Sequence, residues 1–264
     1  MSARGQDLTG TVTIRSGSLT ELRRHFDQLG IRQGDHLVVH SRLLTFGRLE
    51  GGVAGVFDLL WEMVGSTGTL AFPSFTFQIG ETEPYDPRTT PPYAVGALSS
   101  YALGVEGMKR TLCPIHSYAV IGSQSDALLA ANPRASLGNG SCFEAMEREG
   151  FYQLLLGCTF NEGATFIHHV EALCAVRYRE WVCVPRVIVR PDGEMEKIFC
   201  NYFARSNGLW QNDFETVEDI LKQQYSTRVP IGSRWSSRTS LKDIRKVVEN
   251  LLAHDDYALV RQKK

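Results

Sequence analysis

Residues 37–72 read LVVHSRLLTFGRLEGGVAGVFDLLWEMVGSTGTLAF, and the fold class follows from them. Leu37-Val38-Val39 follows the Gly34-Asp35 turn as a short apolar run, the pattern of a buried strand ending at His40. Ser41 to Gly52 is a loop carrying Gly47, Gly51 and Gly52. From Val53, the residues Val56, Phe57, Leu60 and Val64 recur at helical spacing, and Gly65 to Gly68 then turns the chain into a strand over Thr69 to Phe72. Strand, loop, helix and strand in that order predict a layered α/β protein.

On the N-terminal side, Ser18-Leu19-Thr20-Glu21 is a capping box. The helix it opens carries Leu19, Leu22, Phe26 and Leu29 until Gly30 stops it, and residues 1–16 read as a lead-in. On the C-terminal side, Phe75 to Val95 contains Pro84, Pro87, Pro91 and Pro92 and reads as a long structureless segment of the lid or binding-loop kind. A strand over Ser117 to Ile121 and a helix over Ser123 to Ala131 follow. Ser141-Cys142-Phe143-Glu144 is a second capping box, whose helix Gly150 ends, and Tyr152 to Leu156 is an apolar strand. Beyond Glu180, Trp181 to Val189 and Met195 to Phe199 flank the hairpin signal Pro191-Asp192-Gly193. The remainder reads as mostly helical, with Leu241 to Leu252 amphipathic. The expectation is one domain over 1–264, with 180–264 as a C-terminal subregion of β-hairpin and helices.

Lys plus Arg number 28 and Asp plus Glu 29, a formal net charge of -1, so the composition offers no strong field for nucleic acid or polycations. The six cysteines form no C-x-x-C pair, which favours reduced, buried thiols over a zinc ribbon or redox motif. The polar N-terminus lacks a signal-peptide core, and no apolar run is long enough to span a bilayer. The expectation is a cytoplasmic protein with no nucleic-acid or membrane partner, its oligomeric state open to self-association.

The chemistry concentrates in Thr165-Phe166-Ile167-His168-His169-Val170-Glu171. On a helix, three-residue spacing puts Thr165, His168 and Glu171 along one face and turns His169 away. A carboxylate beside an imidazole holds its tautomer and stabilises the imidazolium, which a general base needs, and the hydroxyl can face a developing oxyanion. A zinc site drawing on His168, His169, Glu171 and His116 is the minority reading, because no H-E-x-x-H is present. Two loops read, from spacing alone, as plain connections, with phosphate binding as the functional alternative. His40 to Gly47 joins a strand to a helix where backbone amides can cradle phosphate, but it is neither a Walker loop nor G-x-G-x-x-G. Lys109 to Ser117 sets two cations beside a hydroxyl.

Taken in order, five elements resemble the aminoglycoside 3-N-acetyltransferase family, also called the antibiotic N-acetyltransferase family. They are His40-Ser41-x-Leu43-x-x-Phe46-Gly47 with Gly51-Gly52, then Gly68-Thr69-Leu70, Pro73-Ser74-Phe75-Thr76, Arg110-Thr111 before Pro114 and Ser117, and Thr165-x-x-His168-x-x-Glu171. The resemblance implies an αβα layered mixed sheet, distinct from the GNAT fold, and an acyl-coenzyme A donor used as cosubstrate without a metal. It implies His168 as the base for an acceptor amine, Glu171 as its orienting carboxylate and Thr165 as an oxyanion donor. Coenzyme A would be held by Ser41, Arg42, Thr45, Phe46, Gly47, Arg110, Thr111 and Ser117, and Phe75, Tyr85, Asp86 and Tyr93 would wall the acceptor side. The chain departs from resistance enzymes at Leu112-Cys113-Pro114, Arg42 and Leu44, and its charge is close to neutral. On those departures the expected acceptor is a nucleotide-linked deoxy-amino sugar for surface glycans, with an aminoglycoside as the alternative. A zinc hydrolase and a non-catalytic sugar-binding module remain as other classes.

Overall fold

Both faces of the central strands are covered by helices, which is why those strands are apolar through most of their length. The structure is a computed structural model that describes residues 17–206 and 208–263; the lead-in over residues 1–16 lies outside the described residues. In chain order the elements begin with α1 (Leu19–Gln28), β1 (His36–Ser41), a 3-10 turn (Leu43–Phe46), α2 (Gly52–Val64) and β2 (Thr69–Pro73). Next come β3 (Pro84–Tyr85), α3 (Ala97–Ala102), β4 (Lys109–Arg110), β5 (Tyr118–Gly122), α4 (Ser125–Leu129), α5 (Cys142–Arg148) and β6 (Tyr152–Leu156). Helices α6 (Phe160–Gly163) and α7 (Phe166–Leu173) precede the long strands β7 (Arg179–Val189) and β8 (Met195–Arg205). The chain finishes with β9 (Trp210–Asn212), α8 (Glu215–Gln224), β10 (Thr227–Ile231), β11 (Arg234–Ser240), α9 (Leu241–His254) and β12 (Val260–Gln262).

The main sheet has seven strands in the order β10-β11-β6-β1-β2-β5-β4. Its centre is parallel, β1 pairing with β2 and β6, while β5, β4, β11 and β10 run antiparallel to their neighbours. Leu37, Val39, Leu70, Phe72, Leu154 and Leu156 pack on one face with Leu22 and Phe26 of α1, Phe57 and Leu60 of α2 and Leu98 of α3. Val38, Ala71 and Leu155 pack on the other face with Phe143 of α5, Ile167 and Val170 of α7, and Ile244 and Val248 of α9. Two helical layers around a mixed sheet make the αβα arrangement.

The structure corrects several readings. The segment 75–95 is not structureless: β3 pairs in parallel with β7, Tyr85 opposite Ile188, and the buried Tyr85 hydroxyl donates to the Thr111 carbonyl at 2.7 Å. The hairpin has the expected turn-side ends, Val189 opposite Met195, but its open end runs beyond Trp181 and Phe199 to pair Arg179 with Arg205. The C-terminal part is not mostly helical. Strands β10 and β11 form a second hairpin through Gly232, at φ 58, and extend the main sheet, while β9 pairs with β12. Helix α4 also starts late, because the Ser123 hydroxyl donates to the Thr67 carbonyl at 2.7 Å and holds that residue in the preceding turn.

Candidate active site

Helix α7 sets His168 and Glu171 one turn apart, and Nδ1 of the imidazole lies 2.6 Å from Oε2 of the carboxylate. Glu171 is fully buried, so its charge requires partners. Oε1 accepts a hydrogen bond from the Tyr178 hydroxyl at 2.7 Å. Oε2 also lies 2.8 Å from Nε of Arg179, a side chain 4% exposed; the N–H is off the carboxylate axis, making this a charge contact rather than an aligned hydrogen bond. Burial alone pushes the Glu171 carboxyl up, but the charge and hydrogen bond of His168, then Arg179 and Tyr178, together hold it below its ordinary value. Burial and the adjacent carboxylate in turn raise the Tyr178 phenol, which stays a donor.

These partners fix the tautomer of His168. Nη2 of Arg179 is 3.0 Å from Nδ1, but a guanidinium only donates, and the shorter carboxylate contact gives Nδ1 its proton. Nε2 is then the lone-pair nitrogen, with the Asn212 amide of β9 3.4 Å away and the edge of Phe214 packed on the ring at 5.6 Å. The result is a part-buried imidazole whose Nε2 carries only the long Asn212 contact, with a buried carboxylate behind it to stabilise the cation formed when Nε2 takes a proton. Sequence reasoning missed Tyr178, Arg179, Asn212 and Phe214. Tyr178-Arg179 gave a weak signal, a phenol and a guanidinium shortly after Glu171, whereas Asn212 and Phe214 come from later elements and gave none.

A cleft of ≈ 430 Å³ opens at the carboxyl ends of the parallel strands, where ligands of α/β sheets bind; Thr165, three residues before His168, is in its lining, while His168 and Glu171 are not. His40, Ser41 and Arg42 at the end of β1, Pro73 at the end of β2 and Phe75 just beyond it, Cys158 after β6, and Thr165 line it together with Gly96 and Glu162. Arg42 and Arg234 each donate to Glu162, at 2.6 and 2.7 Å. Partial burial opposes the Glu162 charge, but the Thr159 N–H, Arg234 and Arg42 hold its carboxyl at about 2.

Of the residues expected to hold coenzyme A, Ser41 and Arg42 line this cleft. The Thr45 hydroxyl donates to the Gly157 carbonyl at 3.3 Å, Gly47 caps the 3-10 turn, and Phe46 is buried against His25. The second loop is a strut rather than a phosphate cradle. Arg110 is buried, donating to the Ser74 and Ser117 hydroxyls at 3.0 and 3.2 Å and to the carbonyls of Ser74 and Thr90. Thr111 accepts from the Tyr118 N–H, and Ser117 donates to the Ser74 carbonyl. The expected acceptor wall also divides. Phe75 lines the cleft and Tyr93 is exposed, but Tyr85 is a core residue and Asp86 is paired with Arg88 at 2.9 Å.

His169 is buried, and its Nδ1 accepts from the Gly138 N–H at 3.1 Å. His116 bonds the Ser136 carbonyl through Nδ1 amid Phe75, Phe77, Phe143 and Tyr202; burial, with His168 and Arg179 nearby, pulls its pKa down to about 3. The zinc alternative finds no donor set. Among the described residues no group of three or more His, Cys, Asp or Glu is arranged to hold a metal, and the Glu171 oxygens are occupied by neighbours. Among the same residues no helix is long and apolar enough to cross a membrane.

The model of the family described as aminoglycoside 3-N-acetyltransferase matches residues 38–253. An aminoglycoside N(3)-acetyltransferase III of Salmonella sp is 30% identical over 186 residues, covering 64% of this chain and 65% of that protein. An aminoglycoside N(3)-acetyltransferase VII of Streptomyces paromomycinus is 29% identical over 233 residues, 81% of this chain and 76% of that protein. The chain thus spans just under two thirds of the length of the first curated relatives it matches. In fold it is similar to AAC-IIIb in a binary complex with CoASH, at TM-score 0.80 and 21% identity over 90% of this chain and 97% of that one. It is also similar to the YokD protein of Bacillus subtilis, at TM-score 0.78 and 20% identity over 92% and 96%. With a carboxylate-supported His168 on α7, a cleft at the strand ends that includes Thr165 of the same segment, and a family match running through almost the whole sheet, the chain belongs to the aminoglycoside 3-N-acetyltransferase family.

Proposed function

We propose that this protein is an acyl-coenzyme A-dependent N-acyltransferase that acylates a primary amine of an aminoglycoside-type amino sugar. The observation that carries this reading is the His168–Glu171 pair, with the proton held on Nδ1 and Nε2 left as the base. An amine attacks a thioester only when neutral. His168 Nε2 takes a proton from the acceptor nitrogen as that nitrogen bonds to the thioester carbon. The carbon–sulfur bond then breaks, and the sulfur leaves as thiolate and takes up the proton that His168 carries. Glu171 stabilises the intervening imidazolium, while Arg179 and Tyr178 keep Glu171 ionised and fixed. Such a base contributes roughly 10²–10⁴-fold, and holding both substrates in one cleft supplies much of the remainder.

The order of acceptors is reversed from the sequence expectation. Relatives named for aminoglycoside acetylation favour the aminoglycoside, and none of the named relatives is named for a nucleotide-linked sugar. AAC-VIa has been solved with sisomicin, which supports a multi-amine sugar as the first acceptor to try. Thiol release from acetyl-coenzyme A with sisomicin, gentamicin and a nucleotide-linked amino sugar tests the reading. Release with the aminoglycosides supports it, release with the nucleotide sugar alone restores the other acceptor, and release with none sinks both.

A further inference from the structure

His40 carries a polar atom that the proposed mechanism does not use. The residue is the second last of β1, is 9% exposed and lines the cleft together with Ser41 and Thr165. Its Nδ1 lies 2.9 Å from the amide nitrogen of Gln153, on the neighbouring strand β6. That amide nitrogen is also within 3.4 Å of the Val38 carbonyl, so it is the NH2 end that faces both groups. A donor on Nδ1 makes that nitrogen the acceptor, and the ring proton therefore sits on Nε2. Nε2 is buried and has no hydrogen-bond partner among the described residues. Burial lowers the His40 pKa to about 4, so the ring stays a neutral donor throughout the range in which an amine can react.

A buried N–H without a partner is costly to leave unsatisfied, and a neutral donor in a ligand cleft selects a ligand oxygen over an ammonium group. Thr165, also in the lining, uses its side chain for no cap of α7 and offers a hydroxyl from the residue that precedes the helix carrying His168. We infer that His40 Nε2–H joins the Thr165 hydroxyl, the oxyanion donor that the family resemblance implies, in receiving the thioester carbonyl oxygen of the acyl donor and stabilising the oxyanion formed when the amine adds. This rests on the acyltransferase reading. It assigns His40 a catalytic role and Gln153 a positioning role, the latter acting only by fixing which nitrogen of His40 holds the proton. No atom is gained or lost at His40: the oxygen accepts its hydrogen bond as the carbonyl π electrons move onto it, and releases that charge when the carbon–sulfur bond breaks.

The test compares wild type with His40→Phe, which removes the donor, and His40→Gln, which keeps an N–H at similar reach. Two readouts are taken: kcat for thiol release, and the affinities of acetyl-coenzyme A and coenzyme A thiol measured without acceptor. The expected result is a loss of about a hundredfold in kcat for His40→Phe, with partial recovery in His40→Gln. Wild type is expected to bind acetyl-coenzyme A more tightly than the thiol, and His40→Phe to lose that preference while binding the thiol as before. Nitrogen NMR adds a signature that a structural role would not produce: the His40 proton on Nε2 in wild type, moved or exchanging in Gln153→Leu. A folded His40→Phe that keeps its kcat and its preference for the acetyl form overturns this inference alone. A wild type that binds neither form of the coenzyme overturns the acyltransferase reading with it.

Discussion

Glu171 concentrates the physics of the site in one side chain: a fully buried carboxylate with an imidazole, a phenol and a guanidinium on its two oxygens. Removing one charge of such a set leaves the other buried and uncompensated, at a cost of about 3–5 kcal/mol. Glu171→Gln is therefore expected to lower thermal stability as well as kcat, because it leaves Arg179 unpaired and weakens the hold on the Nδ1 proton. Calorimetry and steady-state kinetics on one preparation check this, and an unchanged Tm would count against it. His168→Ala separates the two effects, since the ring is partly exposed and leaves no charge behind. It should abolish turnover with coenzyme A affinity nearly unchanged. The three-residue spacing of His168 and Glu171 was legible in the sequence because helical geometry alone makes them neighbours. Tyr178, Arg179 and Asn212 were not legible, because they reach the pair from segments whose placement depends on tertiary packing.

Among the elements, the loop after β1 is seated by close backbone fit as well as by polar contacts such as Arg42 N–H to the Leu156 carbonyl at 2.9 Å. Gly157, directly after β6, has φ +69, and a Cβ there would stand 2.9 Å from Cβ of Thr45 in the 3-10 turn. Gly157→Ala should thus cost about 1–2 kcal/mol from the left-handed backbone and displace the turn that carries the cleft wall. The expected outcome is a Tm lower by several degrees and a raised KM for acetyl-coenzyme A, with kcat less affected. Kinetics with varied donor check it, and an unchanged KM would mean that the turn does not shape the donor site. The parallel strands β1, β2 and β6 were readable as apolar runs, because burial on both faces demands them. Strands β10 and β11 were not, since β11 is polar yet buried: Ser236 bonds His25 at 2.9 Å and Thr239 bonds Ser226 at 2.7 Å. Hydropathy cannot report a strand whose interior positions are satisfied by hydrogen bonds. The short β3 within 84–85 escaped for a related reason, since a proline-rich segment gives no alternation and its pairing partner, near Ile188, is remote in the chain.

Across the whole molecule, burial keeps several histidines neutral, and that sets the acid limit of stability. It pulls the pKa values of His25, His40 and His169 from 6.5 to about 4, and that of His116 to about 3. Between those values and 6.5 the unfolded chain binds more protons than the folded one, so stability falls as pH falls through that window. At about pH 5 each imidazole subtracts about 2 kcal/mol, a large share of an ordinary folding free energy when several act together. The lowered carboxyls of Glu162 and Glu171 act in a more acidic window, their contribution being present above 4.5 and lost as pH falls below it. Tm should therefore drop between pH 7 and 5, before the carboxylates titrate, and a flat Tm across that range would be inconsistent with the burial of these rings. The net charge of -1 offers no long-range pull on a polycation, so the proposed reading assigns acceptor recognition to short-range contacts. Everything proposed for the cleft depends on His168 deprotonating an amine for attack on an acyl-coenzyme A. The rate of thiol release from acetyl-coenzyme A with sisomicin, wild type beside His168→Ala, measures that step. Wild type should release thiol in step with acetylated sisomicin, and the variant should release none above background. Equal release by both proteins would mean that His168 is not the base.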